Sequence, residues 1–287
     1  MVWGFVALLA AGIGPATRDA ATAENLQGNL GGGLVTATPG TLPILLSAPH
    51  GGTRRMDGVP NRTGENVARK RGAKTNFSFA FDRNTDTLTF AVASAIERLT
   101  GQRPYVVVAH FSRRQIDANR PAEEAVESEE ARKVYDAYHD ALRQFRAEIL
   151  ARHGTGILID LHGHGGNPEV LYRGTADGQT VRNLRETRGQ DALTGDTGLL
   201  APLARAGIKL QPENGSPAAE NPALNGGYIV RKYGSFAGGS FDAVQLELGG
   251  ALRGAERLPG VAEALGESLV QYWRKYLVRQ DDGHGGK

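Results

Sequence analysis

Short apolar runs that stop at glycine, proline or histidine alternate along this chain with segments whose apolar residues recur every three or four positions. That alternation predicts buried strands separated by amphipathic helices. The runs PILLSAP (43–49), PYVVVAHF (104–111), GILIDL (156–161), IKLQP (208–212) and DAVQLEL (242–248) read as strands. Helical spacing covers 85–99, where Leu88, Val92, Ile96 and Leu99 share a face. It returns within 123–154, with a stripe of Val134, Ala137, Tyr138, Ala141, Leu142, Phe145 and Ile149 and a stop at Gly154. A short helix is expected in TGLLAPLARAG and a final one over 261–279. The segment 51–76, rich in Gly, Asn, Arg and Lys, reads as a loop, and Asn167–Thr197 is polar with no clear period.

Strands alternating with helices predict an α/β fold with a mixed, mostly parallel sheet and helices on both faces. A chain of 287 residues, 40% hydrophobic, is long enough for one sizeable core. The expected organisation is a Gly-rich lead-in over 24–40, one domain over 41–280 and a flexible tail over 281–287. In such sheets ligands gather at the carboxyl ends of the strands. His50 ends the first predicted strand, His162 and His164 the third, and Glu247 the last. The loop after the second carries Arg113, Asp117, Asn119 and Arg120.

Composition narrows the chemistry. With 33 basic and 31 acidic residues the net charge is only +2, so no global field draws in nucleic acid or an anionic membrane. The absence of cysteine excludes disulfides, thiolate ligands and cysteine nucleophiles, leaving His, Asp and Glu as metal ligands. No G-x-S-x-G elbow and no phosphate-binding glycine loop occurs. The apolar stretch from Val2 to about Gly14 is too short to span a bilayer, and with Ala21-Thr22-Ala23 as an A-x-A site it predicts a signal peptide over 1–23 and export. The mature chain is expected to be soluble.

Each candidate has a plain structural alternative. His50, in SAPHGG, sits where a strand meets a Gly-Gly turn whose missing side chains would let a metal or substrate approach; it could also merely cap the turn. His162, in DLHGHGG, reads as a ligand that Asp160 or a backbone carbonyl could orient, with His164 as a supporting or substrate-facing group. Two imidazoles need a third ligand to hold catalytic zinc, and Asp82, Asp86 and Glu65 are the candidates; spacing alone does not choose among them. Asp86 opens a predicted helix, a position acidic residues also favour for purely structural reasons. The Arg113, Arg114, Asp117, Asn119 and Arg120 cluster could be a salt-bridged loop or a clamp for an acidic acylated substrate. Glu247, inside an apolar strand, is costly to bury without a task, and desolvation would raise its pKa toward that of a working base. His139, His153 and His284 read as surface or capping residues, and His110 as a weak supporting candidate.

The blocks PILLSAPHGG, NTDTL, FSRRQIDANRP, ILIDLHGH, GGYIVRKYG and AVQLELGG, in this order from 43 to 250, resemble the N-formylglutamate amidohydrolase family, relatives of the zinc carboxypeptidases and of aspartoacylase. The resemblance implies a zinc-carboxypeptidase-like (phosphorylase/hydrolase-like) fold and one zinc ion on His50, Asp86 and His162. It implies Glu247 as general base and acid and Arg120 as the group polarising the scissile carbonyl or holding the substrate carboxylate. Arg231, with Tyr228 beside it, becomes a substrate-carboxylate clamp helped by Arg113, while Asp117 and Asn119 position the arginine and His164 borders the substrate. Position 53 is Thr, so the H-x-x-E of carboxypeptidases is absent and the second ligand rests on Asp86. The implied reaction is hydrolysis of the amide of an N-acyl amino acid. A secreted metallopeptidase or cell-wall amidase acting on a larger peptide, and a non-catalytic protein binding metal or acyl-amino acids, would use the same residues.

Overall fold

The computed structural model describes residues 28–71, 77–216 and 218–278. The predicted signal peptide and the predicted tail lie outside these residues. Eight strands form one mixed sheet: β1 (Gly28–Leu30), β2 (Val35–Thr38), β3 (Ile44–Ala48), β4 (Tyr105–Ala109), β5 (Gly156–Gly163), β6 (Val170–Gly174), β7 (Lys209–Gln211) and β8 (Phe241–Leu248). Their order is β1-β2-β4-β3-β5-β8-β6-β7. The centre, β4-β3-β5-β8, is parallel, while β2 joins β4 and β6 joins β8 antiparallel. The helices are α1 (Glu65–Arg71), α2 (Thr85–Thr100), α3 (Ala122–Ala125), α4 (Glu129–His153), α5 (Arg182–Arg188), α6 (Asp191–Thr194), α7 (Ala201–Arg205), α8 (Tyr228–Tyr233) and α9 (Leu258–Tyr272).

The period-2 alternation of the central strands divides the core. Leu46, Ile157, Ile159, Leu161, Val244 and Leu246 face a cluster with Leu88, Val92 and Ile96 of α2 and Val261, Leu265 and Leu269 of α9. Leu45, Leu158 and Ala243 face the opposite cluster, with Tyr138, Leu142, Phe145 and Ile149 of α4. Helices therefore cover both faces, as expected. The α4 boundaries follow local chemistry: Ser128 Oγ accepts the Ala131 N–H at 3.2 Å, and Gly154 takes a left-handed φ of 73° that a side chain would disfavour.

Three stretches depart from the pattern. The lead-in contains strands β1 and β2 and is not irregular, because β2 pairs with β4 from Val35↔Ala109 to Thr38↔Val106. The polar section 167–197 contains β6, α5 and α6; β6 is too short to display a period and is held by antiparallel pairing to β8. Glycines at 51 and 52 are required by packing: a Cβ on Gly51 would come within 2.7 Å of the Asp86 backbone nitrogen, and one on Gly52 would collide with the His110 carbonyl. The turn is bare so that α2 and the end of β4 can approach it.

Candidate active site

Parity and register place the chemistry. Asp160 and His162 continue the Leu158 face of β5, and Gln245 and Glu247 continue the Ala243 face of β8. His162 is the Cα partner of Glu247, and Asp160 of Gln245, so four polar side chains stand on one face at the carboxyl end of the sheet. His50 arrives two residues beyond β3. All five are buried.

Among the described residues, one group of donors could hold a metal: His50, Asp82 and His162, whose ligand atoms all lie within 4.8 Å of one another. Asp82 Oδ2 stands 3.4 Å from His50 Nδ1 and 3.3 Å from His162 Nδ1, and also accepts the Gly163 N–H at 3.1 Å. The other ring nitrogens are committed to carboxylates: His50 Nε2 to Asp117 at 2.7 Å and His162 Nε2 to Asp160 at 2.8 Å. An ionised carboxylate can only accept, so each Nε2 carries the hydrogen and each neutral ring turns an Nδ1 lone pair toward Asp82. Lone pairs facing a carboxylate repel unless a cation lies between them. His50 Nδ1 is buried and has no hydrogen-bond partner. Ligands about 2.0–2.1 Å from a tetrahedral zinc are spaced by about 3.3 Å, matching the two Asp82 separations. The donor set therefore fits a small divalent cation, with Asp117 and Asp160 orienting the imidazoles from behind.

Without a metal, protons must serve instead. Burial would lower the His162 pKa, yet Asp160 and Asp82 overcome it and hold it well above the usual histidine value. Burial likewise opposes ionisation of Asp82, and the facing His162 and His50 hold it well below the usual carboxylate range. Asp117, fully buried, is kept ionised against desolvation by His50, Arg113 and Arg62. Among the carboxylates bordering the cavity, Glu247 is the one shifted upward, because burial outweighs the nearby histidines. A carboxylate of raised proton affinity beside a cation site is suited to exchanging protons with a bound water.

The structure sorts the expected residues. His50 and His162 converge; the carboxylate joining them is Asp82, not Asp86. Asp86 sits in the first turn of α2, alongside Gly51, and stands outside the donor group. Asp82 lies in the segment before that helix, whose chain direction carries it over the sheet edge. Glu65 is exposed on α1 and outside the group as well. A cavity of about 880 Å³ is bordered by His50, Asp82, His162 and Glu247, and by Arg113, Asn119, Arg120, Tyr228 and Arg231. Asp117 does not border it: its Oδ2 accepts from Arg113 Nε at 3.1 Å and lies 3.4 Å from Arg120 Nε, so it holds His50 and the arginines at once. His164 borders the cavity, but both ring nitrogens are occupied by backbone, Gly166 N at 3.1 Å and Val170 O at 3.0 Å, which makes it a brace for its loop. His139 is buried, not on the surface, between Tyr233 Oη at 2.9 Å and Ala118 O at 3.0 Å. His110 reaches Thr36 on β2 at 2.7 Å and does not border the cavity.

Two buried arginines that brace the site, Arg62 and Arg253, escaped the sequence reading. Arg62 holds the Arg113 carbonyl at 2.8 Å and the Ser78 carbonyl at 3.1 Å, bracing the arginine-rich loop. Arg253 bonds the Leu248 carbonyl at 3.0 Å and the Arg83 carbonyl, tying the end of β8 to the residue after Asp82. Its guanidinium occupies the space a Cβ on Gly163 would need. The glycine at 163, directly after His162, was the visible trace of that contact.

No protein-family model matches the chain, and no curated protein sequence does. Among solved structures, N-formylglutamate amidohydrolase from Ralstonia eutropha JMP134 matches with a TM-score of 0.54 at 17% identity, over 85% of this chain and 97% of that one. Weaker matches are the zinc-free apo form of YNDL (TM-score 0.36, 14% identity, 84% and 89% covered) and the apo N-acetylmuramyl-L-alanine amidase Ami1 of Mycobacterium abscessus (TM-score 0.34, 15% identity, 80% and 97% covered). Among the described residues no helix is long and apolar enough to cross a membrane. The buried His50–Asp82–His162 group thus sits in an α/β chain that shares the fold of N-formylglutamate amidohydrolase.

Proposed function

We propose that this chain is a zinc-dependent amidohydrolase that cleaves the amide of an N-acyl amino acid. The observation that carries the reading is the pairing of the His50–Asp82–His162 donor group with Glu247, register partner of His162 and the carboxylate there whose proton affinity is raised. Zinc held by those three residues would supply a Lewis acid and a water of near-neutral pKa. Glu247 takes a proton from the attacking water and returns it to the leaving amine. Arg120 places positive charge near the developing oxyanion. Arg231, beside Tyr228, and Arg113 hold the substrate carboxylate at the cavity border through forked hydrogen bonds. The cavity, near the upper end of the range for small-molecule sites, also leaves room for a short acylated peptide as an alternative substrate. The predicted leader would deliver the enzyme outside the cytoplasm.

The test is zinc content and N-formyl-L-glutamate hydrolysis, measured together for the wild type and Glu247→Gln. Stoichiometric zinc in both, with kcat reduced about 10²- to 10⁴-fold in the variant, is expected. Zinc without turnover of this substrate moves the reading to acylated peptides. No zinc after reconstitution refutes it.

A further inference from the structure

We propose that Gln245 is a positioning residue that ties Glu247 to the turn before α8 and selects which carboxylate oxygen of Glu247 faces the cavity. The catalytic consequence rests on the amidase reading; the tie itself rests on hydrogen-bond direction. The Ile229 N–H can only donate, and it donates to Asn119 Oδ1 at 2.8 Å. The Asn119 amide nitrogen is therefore its other end, 3.3 Å from Gln245 Oε1. Gln245 Oε1 also accepts the Gly227 N–H at 2.8 Å. With two donors on its oxygen, Gln245 must turn its own amide nitrogen to Glu247 Oε1, at 2.9 Å. Oε1 of Glu247 is thereby occupied, and Oε2 is the atom left to exchange protons.

The relay is sheltered and closely fitted. Gln245 is 4% exposed and Glu247 7%, although both border the cavity, so losing this bond strands nearly buried polar atoms. Gly227 has no side chain because the Asn119 amide fills the place a Cβ would take. Through Gly227, the same glutamine joins the base on β8 to the start of α8, the helix that carries Arg231. A substrate carboxylate held by α8 and the carboxylate that moves protons are thus fixed to one amide group. Gln245→Met removes both halves of this tie while keeping similar volume.

The experiment compares zinc-loaded wild type with Gln245→Met, using N-formyl-L-glutamate as probe. Expected are a 10- to 100-fold fall in kcat, zinc affinity within about threefold, and hydrogen exchange at the Gly227 N–H about tenfold faster. Gln245→Asn keeps an amide one methylene too short to span Gly227 and Glu247, and is expected to show the same losses if the Met variant does not fold. A kcat within twofold of wild type, or a lower kcat with unchanged Gly227 exchange and weakened zinc binding, overturns the proposal. A wild type that hydrolyses no N-acyl amino acid instead refutes the proposed activity. In that case the tie is read from hydrogen exchange of the Gly227 N–H: exchange about tenfold faster in Gln245→Met upholds it, and equal protection overturns it.

Discussion

Asp82→Asn and Asp86→Asn separate two carboxylates four residues apart that the sequence leaves equivalent. Asp82 Oδ2 faces both Nδ1 atoms at 3.4 and 3.3 Å, so the amide replaces one of three charged or lone-pair donors with a weaker one of equal size. Removing a partner that merely orients a ligand costs 10- to 100-fold in metal affinity, so losing a direct ligand should exceed about 100-fold, or about 2.7 kcal/mol. Asp86, in the first turn of α2 and within reach of the Thr87 hydroxyl, contributes chiefly its favourable charge at a helix N-terminus, about 0.3–1 kcal/mol of stability. That corresponds to a Tm lowered by about 1–4 °C with zinc affinity unchanged within twofold. Competition against a chromophoric chelator at fixed pH gives the affinities, and thermal unfolding of the metal-free forms gives the Tm values. Wild-type affinity should rise with pH, since a proton on His162 competes with the metal. Weakened binding in Asp86→Asn with near-native binding in Asp82→Asn would refute the assignment.

Two further predictions concern stability. Burial pushes His139 down to about 3, so it stays neutral in the fold while the unfolded chain takes up a proton near the ordinary value of 6.5. The stability it contributes is complete above about pH 6.5 and is lost as pH falls toward 3, about 2–3 kcal/mol by pH 4.5. Urea denaturation from pH 7 to 4.5 should show this slope, and a substitution such as His139→Gln should flatten it; an unchanged slope contradicts the account. Gly163→Ala drives a methyl into the Arg253 guanidinium, which is tethered to the Leu248 and Arg83 carbonyls. A loss of about 1–3 kcal/mol and weaker zinc binding through Asp82 are expected, whereas a variant as stable as wild type would show that Arg253 yields freely.

The histidines His50 and His162 and the glutamate Glu247 were legible in the sequence because each ends or lies near the end of an apolar run, and the carboxyl edge of a parallel sheet collects what those ends carry. The runs also determined the layering, since a period of two sorts Leu45, Leu158 and Ala243 from Leu46, Ile159 and Val244 without reference to any partner strand. What tertiary structure decided was direction and pairing. Asp82 and Asp86 are four residues apart, one before α2 and one in its first turn, and only the path of the chain over the sheet edge brings the first to the imidazoles. Asp117 and Asp160 are assigned to the backs of His50 and His162 by contacts across 67 and 2 residues, and the first of these leaves no periodic trace. Gln245 and Arg253 act through register and carbonyl geometry, so a sequence shows their residue types but not which atom each one holds. Local periodicity therefore determined where chemistry could gather, and packing across distant segments chose the partners, because hydrogen-bond direction and burial exist only once those segments meet.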